Sequence, residues 1–248
     1  MAKRIHLKPA EAKNMGLLTK SELKMAGLMP GPTTRPAGSV WQGRSAYFVY
    51  RPDDCITWRR GLSPAQLRRQ SVSAVVKDLL GNDCVVIDVE TTGLCQTAQI
   101  CEIAMIDTGG STLLNTFVRP TCSIPAEATA IHGITDAVVS DAPGWPDVAS
   151  QYEELSAGKK VVAYNAAFDS RMLQQTYAQH GLIAPCVATA CAMQLYARWR
   201  GVKAAPGWRW FSLSEAASDC GSVVVGEHRA LVDALMALDV LKYMPNRH

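Results

Sequence analysis

The hydrophobic pattern of the chain changes character near residue 82. In the first 80 residues apolar positions come in short, interrupted runs. Thr19-Lys20-Ser21-Glu22 matches a capping box and predicts a short helix to about Ala26. Gly31 to Gly38 is rich in Pro, Gly and Thr and reads as a loop. Ser45 to Arg51 and Cys55 to Arg59 are β-prone runs around Pro52-Asp53-Asp54, which predicts a hairpin between them. Ser63 before Pro64 is a good helix start, with a cap residue and then proline at the first helical position. Val72, Val75, Val76, Leu79 and Leu80 follow at spacings of three and four, so an amphipathic docking helix is expected up to Gly81.

From Cys84 the runs lengthen. Cys84 to Val89 reads as a buried strand, and Gln99 to Ile106 and Thr112 to Val118 as two more. The Gly109-Gly110 turn between the last two favours an antiparallel hairpin. Helical patterns follow, then a fourth strand at Lys160 to Tyr164. A helix from about Ala167 to His180 stops at Gly181. A short fifth strand or turn near Val187 leads to a helix through Tyr196, and the last helix runs from about His228 to Tyr243. Three antiparallel strands followed by alternating helix and strand predict a mixed five-stranded α/β sheet with helices on both faces. The expected layout is an appendage over 1–80 and a body over 81–248.

Composition narrows the class. With 48% hydrophobic residues the chain is too apolar to be disordered. No apolar run reaches the ~18 residues of a membrane span, and Met1 to Lys13 lacks the apolar segment of a secretory signal. A cytoplasmic protein without a membrane partner is expected. The eight cysteines include no Cys-x-x-Cys pair, so free thiols in a reducing compartment are expected rather than a zinc site.

Charge separates the two parts. Residues 1–80 carry 14 Lys/Arg and 5 Asp/Glu, whereas residues 81–248 carry 11 and 17. A basic arm favours polyanions. An acidic body that works on a polyanion needs its carboxylates covered by cations. In the arm, Trp41, Tyr47, Phe48, Tyr50 and Trp58 are interleaved with Arg44, Arg51, Arg59 and Arg60. That suits contact with a nucleic-acid strand, docking on a polymerase or other partner or on the body itself, or a small core with a basic rim. A second such stretch, Arg198-Trp199-Arg200 to Trp208-Arg209-Trp210, reads as a loop flanking a cleft or as a surface loop with anchoring tryptophans.

Carboxylates gather in three places. Asp88 and Glu90 are two apart on the first body strand and share a face, which suits either a divalent ion with oxygen preference or a solvated strand end. Asn165 can cap the helix whose first turn carries Asp169. His228 and Asp233 are five apart, ~140° on a regular helix, so they reach one cluster only if His228 lies in the loop or first turn and leans back. Ile131-His132-Gly133-Ile134 reads by itself as a turn with a glycine cap.

In order and context these segments resemble the DEDDh branch of the 3′→5′ exonucleases, the group of the proofreading epsilon subunit of bacterial DNA polymerase III and the oligoribonuclease- and RNase T-like enzymes. Asp88-Val89-Glu90-Thr91-Thr92-Gly93 matches the first motif, Asn165-Ala166-Ala167-Phe168-Asp169 the second, and His228 with Asp233 the third. The similarity covers roughly 82–246; residues 1–80 match nothing in the catalytic core. Where many relatives have His before the second-motif Asn, this chain has Tyr164. The resemblance implies an RNase H-like fold and metal-dependent removal of nucleoside monophosphates from a free 3′ end, DNA favoured over RNA. It implies two Mg²⁺ or Mn²⁺ ions on Asp88, Glu90, Asp169 and Asp233, with Asp88 bridging and His228 taking the proton from the attacking water. It implies contacts to the terminal nucleotide from Thr91, Thr92, Gly93, His132, Asn165 and Phe168, including backbone N–H groups near Thr91 and Thr92. Glu102 reads equally well as support for the ligands or as a surface glutamate. The alternative function is a non-catalytic end-binding or polymerase-associated module on the same fold.

Overall fold

The computed structural model describes all residues except 1–4, 44, 59–61, 223–225, 227 and 248. The chain divides into two compact units, Met1–Leu62 and Ser63–His248.

The first unit holds β1 (His6–Leu7), α1 (Pro9–Asn14), β2 (Leu18–Thr19), α2 (Lys20–Met25), β3 (Leu28–Met29), β4 (Gly38–Gln42), β5 (Ser45–Tyr50) and β6 (Ile56–Thr57). Thr19 caps α2 as the sequence predicts, its hydroxyl accepting from the Glu22 N–H at 3.2 Å. The hairpin is not the predicted one. Ser45–Tyr50 pairs with Gly38–Gln42, a strand that begins at the last residue of the expected loop, while Ile56–Thr57 pairs with Leu28–Met29. Gly43, at φ +63, supplies the left-handed backbone a tight turn requires, whereas Pro52–Asp54 makes a single 3₁₀ turn. Ala12, Leu17, Val40 and Val49 form the small core beneath the sheet β1-β4-β5-β2.

The second unit opens with α3 (Pro64–Gly81), so the boundary lies at 62/63 rather than 80/81. Val72 and Val76 of α3 are buried in the core of the body, which is why the docking helix belongs there. Ser63 caps it, accepting from the Gln66 N–H at 3.3 Å. Then follow β7 (Cys84–Thr91), β8 (Ile100–Asp107), β9 (Thr112–Phe117), α4 (Ala126–His132), α5 (Asp136–Val139), α6 (Trp145–Ser156), β10 (Lys160–Ala163), α7 (Ala166–Gln179), β11 (Thr189–Cys191), α8 (Ala192–Arg200), α9 (Leu213–Cys220) and α10 (Ala230–Asn246). The sheet order is β11-β10-β7-β8-β9, with β7, β8 and β9 antiparallel and β10 and β11 parallel to β7. The β8–β9 turn is held by Asp107, whose Oδ1 accepts from the Gly110 and Ser111 N–H groups at 2.8 and 2.7 Å.

Helices cover both faces, and β7 shows why the carboxylates lie where they do. Val85, Ile87 and Val89 face a core closed by Trp145 of α6 and Met172 and Tyr177 of α7. Cys84 and Val86 face the other core, built by α3, α8, α9 and α10. Continuing that alternation puts Asp88 and Glu90 on the α10 side. Among the described residues, no helix is long and apolar enough to cross a membrane. All eight cysteines are free thiols.

Candidate active site

The strand, the first turn of α7 and the first turn of α10 converge at the C-terminal end of β7. Asp88, Glu90 and Asp233 each offer a carboxylate oxygen, and these atoms all lie within 4.8 Å of one another. Asp169, 3% exposed, completes the acidic group electrostatically: it is the largest charge acting on Asp88, ahead of Asp233 and Glu90. Asp88 is therefore the carboxylate that feels all the others.

Their electrostatics follow from crowding in a desolvated place. Burial, then the Asp169, Asp233, Glu90 and Glu102 charges, push the Asp88 carboxyl far above its ordinary range. Burial first, and Asp233 next, push Glu90 up to about 8. Burial raises Asp169 to about 7, opposed by hydrogen bonds from its own N–H and that of Val89. Such a set cannot ionise together near neutral pH unless positive charge enters it. Its donors are all carboxylate oxygens, which suits hard divalent cations.

The helix α10 starts at Ala230, so His228 stands outside it. The ~140° conflict between His228 and Asp233 is removed in this way. His228 is exposed and has φ +63, a left-handed backbone that turns the chain into the helix. Asp233 is in the first turn, its N–H bonded to the Arg229 carbonyl at 3.0 Å.

Glu102 is the residue whose weight the sequence left open. It pairs directly with Glu90 across β7 and β8, an arrangement of like charges that is unfavourable by itself. Glu102 is 3% exposed, and its carboxylate accepts from the Arg229 guanidinium and, at 3.1 Å, from the Ala230 N–H at the start of α10. A lone glutamate inside the apolar run 100–106 was the available signal, because a buried carboxylate needs a donor.

The expected nucleotide contacts fall into two groups. Asn165 is exposed and Phe168 half-buried, with the Arg171 guanidinium 5.5 Å from its ring. Asn165 precedes α7, but its side chain makes no cap hydrogen bond; its carbonyl accepts from the Phe168 N–H at 2.8 Å instead. Thr91 and Thr92 are buried at a register shift between Glu90 and Thr91. The Thr92 N–H is bonded to the Gln99 carbonyl at 2.8 Å and does not face outward as expected. Gly93 follows at φ +149. His132 also faces inward. Its Nδ1 accepts from the Ile134 N–H at 3.0 Å, which places the proton on Nε2, 3.2 Å from the Thr91 carbonyl. Burial lowers its pKa, so the neutral ring is a brace between α4 and the end of β7. Tyr164, at the position of the departure from the family pattern, is buried and points its hydroxyl at the Phe211 and Ser212 carbonyls, 2.9 and 3.0 Å away.

Residues 85–241 match the protein-family model RNase_T, described as an exonuclease. The chain belongs to this exonuclease family. It is 43% identical over 179 residues to the uncharacterized exonuclease CP81 of Escherichia phage 186, covering 69% of this chain and 92% of that protein. It is 36% identical over 122 residues to exodeoxyribonuclease 10 of Escherichia coli K12, about half of each chain (48% and 49%). Among solved structures it resembles exonuclease X in complex with 5′ overhanging duplex DNA, with a TM-score of 0.51, 31% identity, and coverage of 66% of this chain and 92% of that one. Exonuclease I shares the fold, with a TM-score of 0.57 at 16% identity. As a member of the RNase_T exonucleases, the chain is a phosphodiester hydrolase, and the acidic group sits inside the matched span.

Proposed function

We propose that this chain is a metal-dependent 3′→5′ exonuclease that releases nucleoside 5′-monophosphates from the 3′ end of DNA. The observation that carries the reading is the convergence of Asp88, Glu90 and Asp233 within 4.8 Å, with Asp169 beside them, at the end of β7. DNA is favoured because the exonuclease X relative is solved with duplex DNA and the E. coli relative is an exodeoxyribonuclease.

Asp88, Glu90, Asp169 and Asp233 would hold two Mg²⁺ or Mn²⁺ ions. Bound there, the ions would acidify a water and offset the charge of the phosphodiester and of the leaving oxygen. His228 takes the proton from that water as it attacks phosphorus. The bond from phosphorus to the 3′ oxygen of the preceding nucleotide breaks, and that oxygen takes a proton from solvent, leaving a new 3′ hydroxyl and a free 5′-monophosphate. Four carboxylates matched in formal charge by two divalent ions let a polyanion approach an otherwise acidic body. Asn165, Phe168 and Gly93 line the approach to the terminal nucleotide, Thr91 and Thr92 support it from beneath, and His132 acts through Thr91 rather than by touching the nucleotide. The test is hydrolysis of 3′-labelled DNA and RNA oligomers with Mg²⁺ or Mn²⁺. An Asp169→Asn protein that stays folded and keeps its full rate would overturn the reading.

A further inference from the structure

The sheet of the second unit ends at β11, the outermost strand in its order. Thr189 of β11 lies level with Val161 of β10, and the Val161 N–H donates to the Ala188 carbonyl at 2.8 Å. In a parallel ladder that register turns the backbone groups of Ala188 and Ala190 towards β10 and those of Thr189 away from it. The Thr189 N–H and C=O therefore point off the free edge of the sheet, and among the described residues neither has a partner.

A groove of about 650 Å³ adjoins this edge, and Ala188, Thr189, Ala190 and Cys191 all line it. Side chains alternate between the two faces of a strand, so four consecutive residues reach one groove only through the strand's edge. The other walls come from α3, α8 and the segment 206–210. Val75 of α3 is 47% exposed there. Trp210 is 65% exposed and has no ring, cation or hydrogen-bond partner among the described residues, while Trp208 has the Arg68 guanidinium 4.9 Å from its ring. Among the described residues two cations and no carboxylate line the groove. Lys160 is paired with Asp78 at 3.5 Å, whereas the exposed Arg198 has no described partner for its guanidinium.

We infer that the edge of β11 is a docking site for an extended acidic peptide of a partner protein, which adds as a further strand beside Thr189, lays apolar side chains into the groove and sets a carboxylate on Arg198. Three features favour this occupant. The Thr189 N–H and C=O present a donor and an acceptor side by side, and another peptide strand answers both, whereas a phosphate backbone offers acceptors only. The walls supplied by Val75, Leu195, Pro206 and Trp210 suit the alternate side chains of such a strand. The unanswered charge of Arg198, in a groove without carboxylates, selects an acidic partner. None of these residues belongs to the carboxylate group at the end of β7, so the site stands apart from the exonuclease reading.

The test selects binders to the full chain from a displayed library of random peptides of about 12 residues, then measures the enriched peptides by fluorescence anisotropy. The enriched peptides should alternate apolar residues with Asp or Glu, and N-methylation of their backbone amides should abolish binding. Thr189→Pro should weaken them roughly tenfold without lowering the melting temperature, because the N–H it removes lies outside the β10 ladder. Trp210→Ala should weaken them by a similar factor. Arg198→Glu should reverse the preference, rejecting the acidic peptide and taking up its Glu→Lys counterpart. If Thr189→Pro fails to fold, this charge exchange decides. The inference is wrong if no peptide is enriched, if N-methylated peptides bind as well as their parents, or if Trp210→Ala and Arg198→Glu leave the affinities unchanged. It is also wrong if oligothymidylate binds the parent chain, displaces the peptides and is lost in these two variants, because the groove then serves a nucleic acid.

Discussion

Arg229 grips the buried carboxylate of Glu102 with two nitrogens, Nη2 at 2.8 Å from Oε1 and Nε at 3.2 Å from both oxygens. The same carboxylate receives the first N–H of α10. One side chain thus ties the middle strand pair to the start of the helix that carries Asp233, next to the left-handed turn at His228. It also explains how Glu102 can stand directly opposite Glu90: its charge is answered by Arg229, as the raised pKa of the guanidinium reflects.

Arg229→Gln should therefore leave Glu102 with a buried, under-satisfied charge. Because Arg229 is half-exposed, a loss of about 1.5–3 kcal/mol is expected, the range for hydrogen bonds to charged groups. Glu102→Gln, which keeps an acceptor for the Ala230 N–H, should cost less. Urea denaturation gives both numbers, and exonuclease rates should fall in the same order. Equal stability of all three proteins would show that the pair does not hold the helix.

The clustered carboxylates at the end of β7 should behave in the opposite way towards stability. Asp88→Asn and Glu90→Gln each remove an acid from a crowded, desolvated group. Each should lower the hydrolysis rate by about a hundredfold or more yet raise the melting temperature of the metal-free protein. A variant that lost both activity and stability would instead point to a structural part for that side chain.

The pH dependence of the metal-free fold follows from the same crowding. Glu90 rises from an ordinary 4.5 to about 8, and Asp88 and Asp169 are raised as well, so folding takes up protons. The stability these groups contribute is complete below about pH 4.5 and is lost as pH climbs towards 8. Melting curves in EDTA should thus shift down between pH 5 and pH 8. Mn²⁺ should raise the melting temperature strongly at pH 8 and much less at pH 5, where protons compete for the same oxygens. A metal-free melting temperature that rises steadily over this range would contradict the crowding.

Much of the body was legible from the chain because its elements are long and periodic. The β7 run, the Gly109-Gly110 turn and the Ser63-Pro64 cap each carry a local cause, and each stands where the sequence predicts. The approach of Asp88 and Glu90 to each other was legible because they share a strand face, and that of Asp233 follows from α10, whose Ala230, Ala234 and Ala237 are buried. What escaped depended on contacts between distant residues. Arg229 has no local reason to point at Glu102, 127 positions away. Strand pairing in the arm was misread because Gly43 competes with Pro52-Asp53-Asp54 for the turn, and both look plausible locally. His132 reads as an outward contact until Ile134 and Thr91 take both of its nitrogens. Arg44, Arg59 and Arg60, expected beside the arm's aromatics, lie outside the described residues.

Tyr164 offers a clean separation of fold from chemistry. Its hydroxyl serves the Phe211 and Ser212 carbonyls just before α9, on the side of the sheet where the α10 core lies. Tyr164→Phe should cost about 1 kcal/mol of stability and leave the exonuclease rate unchanged. A fall in rate would return this position to the substrate.

The backbone at His228 permits the sharpest test of its role. At φ +63 any side chain bearing a Cβ is strained by roughly 1 kcal/mol relative to glycine. His228→Gly and His228→Ala both remove the imidazole, so both should lose activity to the same extent, by about a hundredfold or more. Only the glycine variant relieves the backbone, and it should melt higher than the alanine variant. The two measurements together separate the ring from the turn. If the alanine variant retains most of its rate, the proton of the attacking water goes elsewhere. If the two variants differ in rate as much as in melting temperature, the turn at His228, rather than its imidazole, governs hydrolysis through the placement of Asp233.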